Sequence, residues 1–177
     1  AYSKKIIDTY LPWEAERCRH VELTDENGIL AGRFAPTVRK PVLTLPSGKI
    51  VFGLGDALVT NDPLTGQGSN NATKASKVYY DAILARGDKP YTAEWMNDTF
   101  EQFWKYGRHV VEWTNALLAP PQPHVLNALG AAQQLPTLAH TIANAFNYPP
   151  VLAPWWHDAH ACDAYIQSLM QEEVRAS

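Results

Sequence analysis

One stretch near the middle of the chain constrains the fold more than any other. A short apolar run with β-branched and aromatic residues at its centre occupies residues 50–54, and Gly55-Asp56 follows it directly. Such a run predicts a buried strand that delivers Asp56 to a ligand-binding edge. A loop with one proline and two glycines comes next, and an Ala-rich helix is predicted to begin at about Ser69. The sequence therefore predicts a strand, a loop and a helix in close succession.

The start of that helix is a predicted binding site for an electron-rich group. The first turn of a helix has backbone N–H groups without intrahelical acceptors, and the helix dipole places partial positive charge there. Both features are expected to face the end of the strand, where Asp56 lies. An alternative stays open, because a strand, a loop and a helix joined by ordinary turn glycines would read the same way and bind nothing.

The residues of this stretch resemble a known cofactor-binding motif. The stretch is similar to the second flavin-binding motif of FAD-dependent aromatic hydroxylases. The matching residues are Gly-Asp-Ala at 55–57, a proline at 63 and Gly-Gln-Gly-Ser-Asn at 66–70. The form of the loop over residues 61–70 most resembles the oxygenase components of styrene and indole monooxygenases. In this family the aspartate binds the ribityl chain of FAD, and the turn directs backbone amides at the pyrimidine end of the isoalloxazine ring.

The resemblance implies these roles for Asp56 and for residues 66–70. The predicted cofactor-binding residues are Gly55, Asp56, Pro63, Gly66, Gln67, Gly68, Ser69 and Asn70. No residue of the chain is assigned a catalytic or metal-binding role, because the cofactor supplies the difficult chemistry in such enzymes.

A second motif that the resemblance leads one to expect is absent. FAD-dependent proteins of this group open with Gly-x-Gly-x-x-Gly after their first strand, and the helix that follows binds the pyrophosphate. The sequence contains no such motif. We therefore expect the chain to be the C-terminal part of a longer protein, which supplies the other half of the flavin site.

The predicted fold is α/β and helix-rich, the C-terminal portion of a two-domain FAD-binding monooxygenase with a helical C-terminal region. Residues 1–48 are predicted to hold a helix and β-hairpin segments from the end of the substrate domain. Residues 49–90 are predicted to hold the last strand, the flavin loop and a helix of the FAD-binding domain. Residues 91–177 are predicted to form the helical region. Gly87 and Pro90, after a basic last helical turn, mark the second boundary.

The activity that the resemblance implies is monooxygenation by a two-component enzyme. Such an enzyme epoxidises a styrene-like or indole-like double bond with reduced FAD and dioxygen. The implied partners are an aromatic alkene or indole substrate, an NADH-dependent flavin reductase and the N-terminal part of the same protein, and a homodimer is compatible with the resemblance. The chain alone is expected to be inactive.

Several functional alternatives stay open. The resemblance does not separate styrene from indole. The motif also occurs in flavin halogenases, in other FAD-dependent hydroxylases and in a few reductases. A different class of function is a non-catalytic helical interaction fragment that retains a relic flavin loop.

Composition argues against several other classes of protein. With 46% apolar and 19% charged residues over 177 positions, the chain is predicted to be globular and not disordered. A net charge of −3 without a basic stripe argues against nucleic acid and anionic membranes as partners. The sequence has no run of about 20 apolar residues. Its two cysteines, Cys18 and Cys162, form no Cys-x-x-Cys pair, so a reduced cytoplasm is the expected location.

Periodicity predicts the other elements. Helices are predicted over residues 3–19 with a break at Pro12, and over residues 92–118, 124–135, 137–146 and 157–174. A β-hairpin is predicted from residues 21–24 and 29–34, and an extended segment over residues 38–45. No strand is predicted after Pro90.

Spacing also predicts which side chains face the core. The helix after the flavin loop is predicted to bury Ala72, Ala75, Ser76, Tyr79, Ala82 and Ile83. The last helix is predicted to bury Ala161, Ala164, Tyr165, Leu169 and Met170. His157 and His160 supply at most two ligands from one helix face, and Cys162 points elsewhere, so they are predicted to be surface residues and not a metal site.

Overall fold

The computed structural model describes residues 2–28 and 35–176. The chain divides into two compact units, Ala1–Phe34 and Ala35–Ser177. This division falls at a different place from the predicted domain boundaries near residues 48 and 90, which concern the parent protein and stay predictions.

The first unit contains two helices that meet at Pro12, as predicted. α1 spans Tyr2–Tyr10, and α2 spans Pro12–Ala15. Leu11 between them has a non-helical backbone (φ −133°, ψ 52°) because the residue before a proline is excluded from the helical region. Proline is well tolerated at the first position of α2, where its missing N–H has no role.

The predicted strand over residues 21–24 is wrong. In the turn that follows, the Asn27 N–H donates to Asp25 Oδ1 at 2.8 Å. Residues 21–23 are irregular and form no ladder. The second half of the predicted hairpin, residues 29–34, lies outside the described residues.

The second unit opens with two small antiparallel sheets. β1 (Thr37–Val38) pairs with β4 (Val59–Thr60), and β2 (Val42–Thr44) pairs with β3 (Ile50–Phe52). A tight turn joins β2 to β3: the Leu45 N–H donates to Lys49 O at 2.8 Å. The predicted extended segment over residues 38–45 is thus confirmed as parts of two strands.

The predicted buried strand over residues 50–54 is shorter and more exposed than expected. β3 ends at Phe52, and Val51 and Leu54 keep 44% and 41% of their surface exposed. Within the described residues β3 pairs with β2 alone, so no neighbouring strand covers its other edge.

Two long helices pack against the strands. α3 spans Gly68–Arg86 and ends at Gly87, which has a positive φ of 58°. α4 spans Ala93–Ala116, which is roughly 36 Å of helix, and the Thr92 hydroxyl accepts the Trp95 N–H at its start. Both helices are confirmed to within one or two residues at each end. The core between them consists of Leu58, Val59, Ala75, Tyr79, Phe100 and Phe103.

The predicted inner face of α3 is only partly right. Ala75 and Tyr79 are buried as predicted, but Ile83 keeps 44% of its surface exposed and Ser76 is also exposed. The fully buried stripe runs through Asn71, Ala75 and Tyr79, at steps of four residues. Asn71 therefore occupies a core position that apolar periodicity does not reveal.

Three further helices form the C-terminal part. α5 spans Pro123–Ala131, α6 spans Pro136–Asn144 and α7 spans Ala159–Ala176. After Pro90 the described residues contain no strand, as predicted. A second core holds this part together, built from Trp113, Val125, Ala128, Leu135, Leu138, Ala145, Leu152, Trp155, Trp156, Cys162, Ile166 and Leu169.

The inner face of α7 also differs from the prediction. Leu169 is buried, and Ala161 and Tyr165 are partly buried and pack on the core. Met170 keeps 47% of its surface exposed, and Ala164 is exposed. Cys162 and Ile166 are buried in their place, because the inward stripe starts from Cys162 and continues at steps of four and three residues.

The fold is helix-rich and mixed α/β, as predicted. Across the residues that the structure describes, no helix combines the length and apolar character needed to cross a membrane.

Candidate functional site

Asp56 lies on a single 3₁₀ turn, Gly55–Ala57, that follows β3 after two extended residues. The turn begins at Gly55, whose φ of 60° lies in the left-handed region that other residues rarely adopt. The Leu58 N–H closes the turn by donating to Gly55 O at 2.9 Å. The sequence therefore places Asp56 near the end of a strand, but the local turn determines where it points.

The backbone of Asp56 is held firmly while its carboxylate is not. Its carbonyl oxygen accepts the Thr60 hydroxyl at 2.9 Å and Arg39 Nη1 at 3.3 Å. Arg39 Nη1 also donates to Thr60 Oγ1 at 2.9 Å. The carboxylate of Asp56 is exposed and has no hydrogen-bond partner among residues 2–28 and 35–176. It is available to accept a hydroxyl from a ligand.

The loop after β4 is shaped by its own backbone. Asp62 Oδ1 accepts the Leu64 N–H at 2.9 Å, which starts a 3₁₀ turn over Pro63–Thr65. The Gly66 N–H donates to Pro63 O at 2.9 Å, and Gly66 has a φ of 65°. The amide of Gly66 thus donates inside the loop, and the assignment of Gly66 to the cofactor site stays a prediction.

The start of α3 presents the free amides that the sequence predicts. The N–H groups of residues 68–70 have no acceptor within the described part of the chain, and Gln67 provides no side-chain cap. The first helical hydrogen bond is made by the Asn71 N–H to Gln67 O at 2.8 Å. Three donors and the positive end of a 19-residue helix therefore lie together.

A small indentation brings part of the predicted site together. Its lining includes three of the predicted residues, Gly55, Asp56 and Gly68. The wall along α3 is formed by Asn71, Ala72, Ala75 and Tyr79. The space that it encloses is about 10 Å³, roughly enough for a single water molecule. Pro63, Gly66, Gln67, Ser69 and Asn70 do not line it. The structure therefore brings three of the predicted residues to one spot and places the other five around it.

Asn71 is the residue of this site that sequence reasoning missed. Its side chain is 4% exposed, and neither its Nδ2 nor its Oδ1 has a hydrogen-bond partner in the described residues. A buried amide without partners is costly and is rare in native proteins. The only signal in the sequence is a polar residue four positions before Ala75, on the face that α3 buries.

Tyr79 lies deeper along the same wall. Its hydroxyl is buried and, among the residues described, without a partner. Burial raises the pKa of Tyr79 well above its ordinary value of 10.0, because the phenolate would lose its hydration. The phenol is therefore neutral at physiological pH and can act as a donor.

The histidines and cysteine near α7 do not form a comparable site. His157 and His160 are exposed, whereas Cys162 is fully buried and its thiol donates to His124 O at 3.6 Å. Burial, with the nearby charge of Asp163, raises the pKa of the Cys162 thiol. Within the part of the chain that the structure describes, no three His, Cys, Asp or Glu side chains are grouped to hold a metal ion.

Comparison with known proteins identifies relatives of the chain. No protein-family model matches it. It is 33% identical over 145 residues to styrene monooxygenase StyA of Pseudomonas fluorescens, a match that spans 78% of this chain and 34% of the relative. Styrene monooxygenase StyA of a Pseudomonas species matches with the same identity and the same coverage. The chain spans about a third of the length of the curated relatives it matches. It is therefore related in sequence to the styrene monooxygenases.

Proposed function

We propose that the chain is the C-terminal part of a cytoplasmic, FAD-dependent monooxygenase and that residues 55–71 bind one portion of the flavin. The observation that carries this proposal is the indentation at the start of α3. There Gly68 with its free amide, Asp56 with its unpaired carboxylate and the buried, unpaired Asn71 line one spot. The free amides of Ser69 and Asn70 belong to the same first turn of α3. The sequence relationship to styrene monooxygenases supports the same cofactor class.

The residues present fit a flavin chemically. The ribityl chain carries hydroxyl donors that the Asp56 carboxylate can accept, and the pyrimidine end of the ring carries carbonyl acceptors for the amides of residues 68–70. A ring edge with both donors and acceptors would also satisfy both ends of the Asn71 carboxamide. The space among these residues holds about one water molecule. In the proposal only an edge of FAD therefore contacts them.

The chain's own contribution is binding and electrostatics. When bound, FAD supplies the redox chemistry that activates dioxygen. The amides of residues 68–70 and the α3 dipole are oriented before the ligand arrives, so they favour negative charge on the flavin ring at little cost of reorganisation. Asp56 orients the ribityl chain. No side chain of this part acts as a general acid or base in the proposal.

The proposed reaction is epoxidation of an aryl alkene or indole by a two-component system. The intact enzyme is proposed to take its flavin already reduced from an NADH-dependent reductase and to bind no nicotinamide itself. The test mixes the complete protein with FAD, styrene or indole, dioxygen and NADH, with and without a flavin reductase. NADH loss and the epoxide or indigo product are followed together. Product that requires the reductase is expected, and rapid NADH consumption by the oxygenase alone would overturn the two-component proposal.

The 177-residue chain alone is proposed to bind FAD weakly, because it carries no pyrophosphate-binding glycine motif. After incubation with FAD, the chain should emerge colourless from a desalting column. A stoichiometric yellow protein would show that the chain contains a complete flavin site.

A further inference from the structure

Two long-range hydrogen bonds join the loop before α3 to α4 and to the segment just past α6. The Gln67 carboxamide donates from Nε2 to Phe146 O at 2.8 Å, although the two residues are 79 positions apart. The hydroxyl oxygens of Thr65 and Thr114 lie 2.7 Å apart and are separated by 49 positions. Gln67 and Thr114 are at most 1% exposed, and Thr65 is 6% exposed. Neither anchor is reachable by a ligand at the surface.

The Gln67 anchor connects directly to the start of α3. Its Oε1 accepts Asn70 Nδ2 at 3.3 Å, so one carboxamide joins the Phe146 carbonyl to a residue of the first helical turn. Asn70 belongs to the group of residues whose backbone amides are free. A shift at Phe146, just past the end of α6, would therefore reach those amides through a single side chain.

The ligand side of the loop offers no equivalent support. A side chain built at Gly66 or Gly68 would meet no described atom within 4 Å. Hydrogen bonds inside the loop determine its shape, but they do not determine its direction relative to α4 and α6. The two buried anchors do, because they join the loop to residues far away in the sequence.

We propose that Gln67 is a positioning residue. Through its bond to Phe146, and supported by the pair of Thr65 and Thr114, it orients the amides of residues 68–70 and does not itself touch the cofactor. This inference rests on the proposed function, since orientation matters only if those amides bind a ligand. It assigns the segment just past α6 a role in cofactor affinity, although that segment contributes no residue to the indentation.

The test uses NMR on the ¹⁵N-labelled chain, which detects even weak binding. The variants are Gln67→Met, which keeps length but removes the hydrogen bonds, and Thr65→Val, which removes one hydroxyl. The matched controls are Gln102→Met on the exposed face of α4 and Thr65→Ser, which restores the hydroxyl. Amide resonances of residues 68–70 are compared without ligand, and FAD is then titrated at a temperature where far-UV circular dichroism shows every variant folded.

Gln67→Met and Thr65→Val should move the resonances of residues 68–70 before any FAD is added. They should also weaken FAD binding by roughly three- to tenfold, the loss expected for one hydrogen bond. Both controls should leave the resonances and the affinity unchanged. If Gln67 and Thr65 served only stability, the variants would have a lower melting temperature, but the amide resonances and the FAD affinity of the folded protein would not change.

The outcomes separate the two proposals. If FAD fails to shift the amides of residues 68–70 in the unsubstituted chain, the proposed flavin site is wrong, and the ligand-free spectra still test the anchoring. If FAD shifts them but neither variant changes their resonances or the affinity, Gln67 is not a positioning residue. Should Gln67→Met fail to fold, the comparison of Thr65→Val with Thr65→Ser decides the question.

Discussion

Replacing Asn71 with leucine should stabilise the chain and weaken its binding of flavin. Both polar atoms of Asn71 are buried without a partner in the described residues, and its side chain is 4% exposed. An unsatisfied buried polar group costs about 1–3 kcal/mol. Leucine has the same branched heavy-atom shape, so the substitution removes both polar atoms without changing the branching of the side chain. The free energy of unfolding of Asn71→Leu should therefore rise by about 1–3 kcal/mol.

The measurement is urea unfolding of the chain without ligand, followed by circular dichroism. A gain of this size corresponds to roughly 2–4 °C in melting temperature per kcal/mol for a chain of this length. Leucine also has a higher helix propensity than asparagine, by about 0.5 kcal/mol. Asn127→Leu, at an exposed position of α5, measures the helix-propensity contribution separately. Its change in the free energy of unfolding is subtracted from that of Asn71→Leu.

The same substitution should reduce FAD affinity in the NMR titration, because leucine cannot donate to or accept from the ring edge. A stability gain together with a binding loss is the expected signature of a polar group kept for a ligand. If Asn71→Leu destabilises the chain after the Asn127→Leu correction, then the Asn71 carboxamide is satisfied inside the protein. Its assignment to the flavin site would then be lost.

Three further outcomes test other parts of the structure. In the complete flavoprotein, Asp56→Ala should lose about 1–3 kcal/mol of flavin affinity, whereas His157→Ala and His160→Ala should leave the affinity unchanged. Flavin affinity is measured by fluorescence titration, and equal affinities for the three variants would remove Asp56 from the site. Because its folded-state pKa is raised, Tyr79 contributes stability that is fully present below its unfolded pKa of 10.0 and declines as the pH rises above it. Urea unfolding at several pH values should show the free energy of unfolding falling by up to about 1.4 kcal/mol per pH unit. The fall should be shallower in Tyr79→Phe, and parallel curves for the two proteins would exclude Tyr79 as its source. Leu138→Ala, at a fully buried position of the C-terminal core, should lower the free energy of unfolding by about 2–5 kcal/mol, and a loss below about 1 kcal/mol would contradict tight packing there.

The sequence predicts the helical part of the fold well because its signals are local. Pro12 separates α1 from α2 and Pro136 begins α6 through the geometry of the proline ring. Gly87 ends α3 because it tolerates a positive φ. The Thr92 hydroxyl starts α4 by capping a residue three positions away. None of these effects needs a distant partner.

The strands were predicted less well because a strand exists only through its partner. Residues 21–24 have the composition of a strand, yet residues 21–23 are irregular in the structure. Residues 50–54 read as a fully buried strand, yet β3 pairs with β2 alone in the described part of the second unit and stays half exposed. Pairing is a property of the whole fold, so composition indicates a strand without fixing its edges or its burial.

By itself the sequence determined the α/β helix-rich fold, the ends of α3 and α4 to within two residues and the flavin-like motif, since each depends on residues within a few positions of one another. Only the tertiary structure decided what the motif's side chains do. Gln67 points inward because the Phe146 carbonyl, 79 positions away, accepts its amide. Asn71 is buried without a partner because β4 and α4 cover that face of α3. Long-range packing, which no local pattern records, thus decides which residues of the motif line the indentation and which bond to distant parts of the chain.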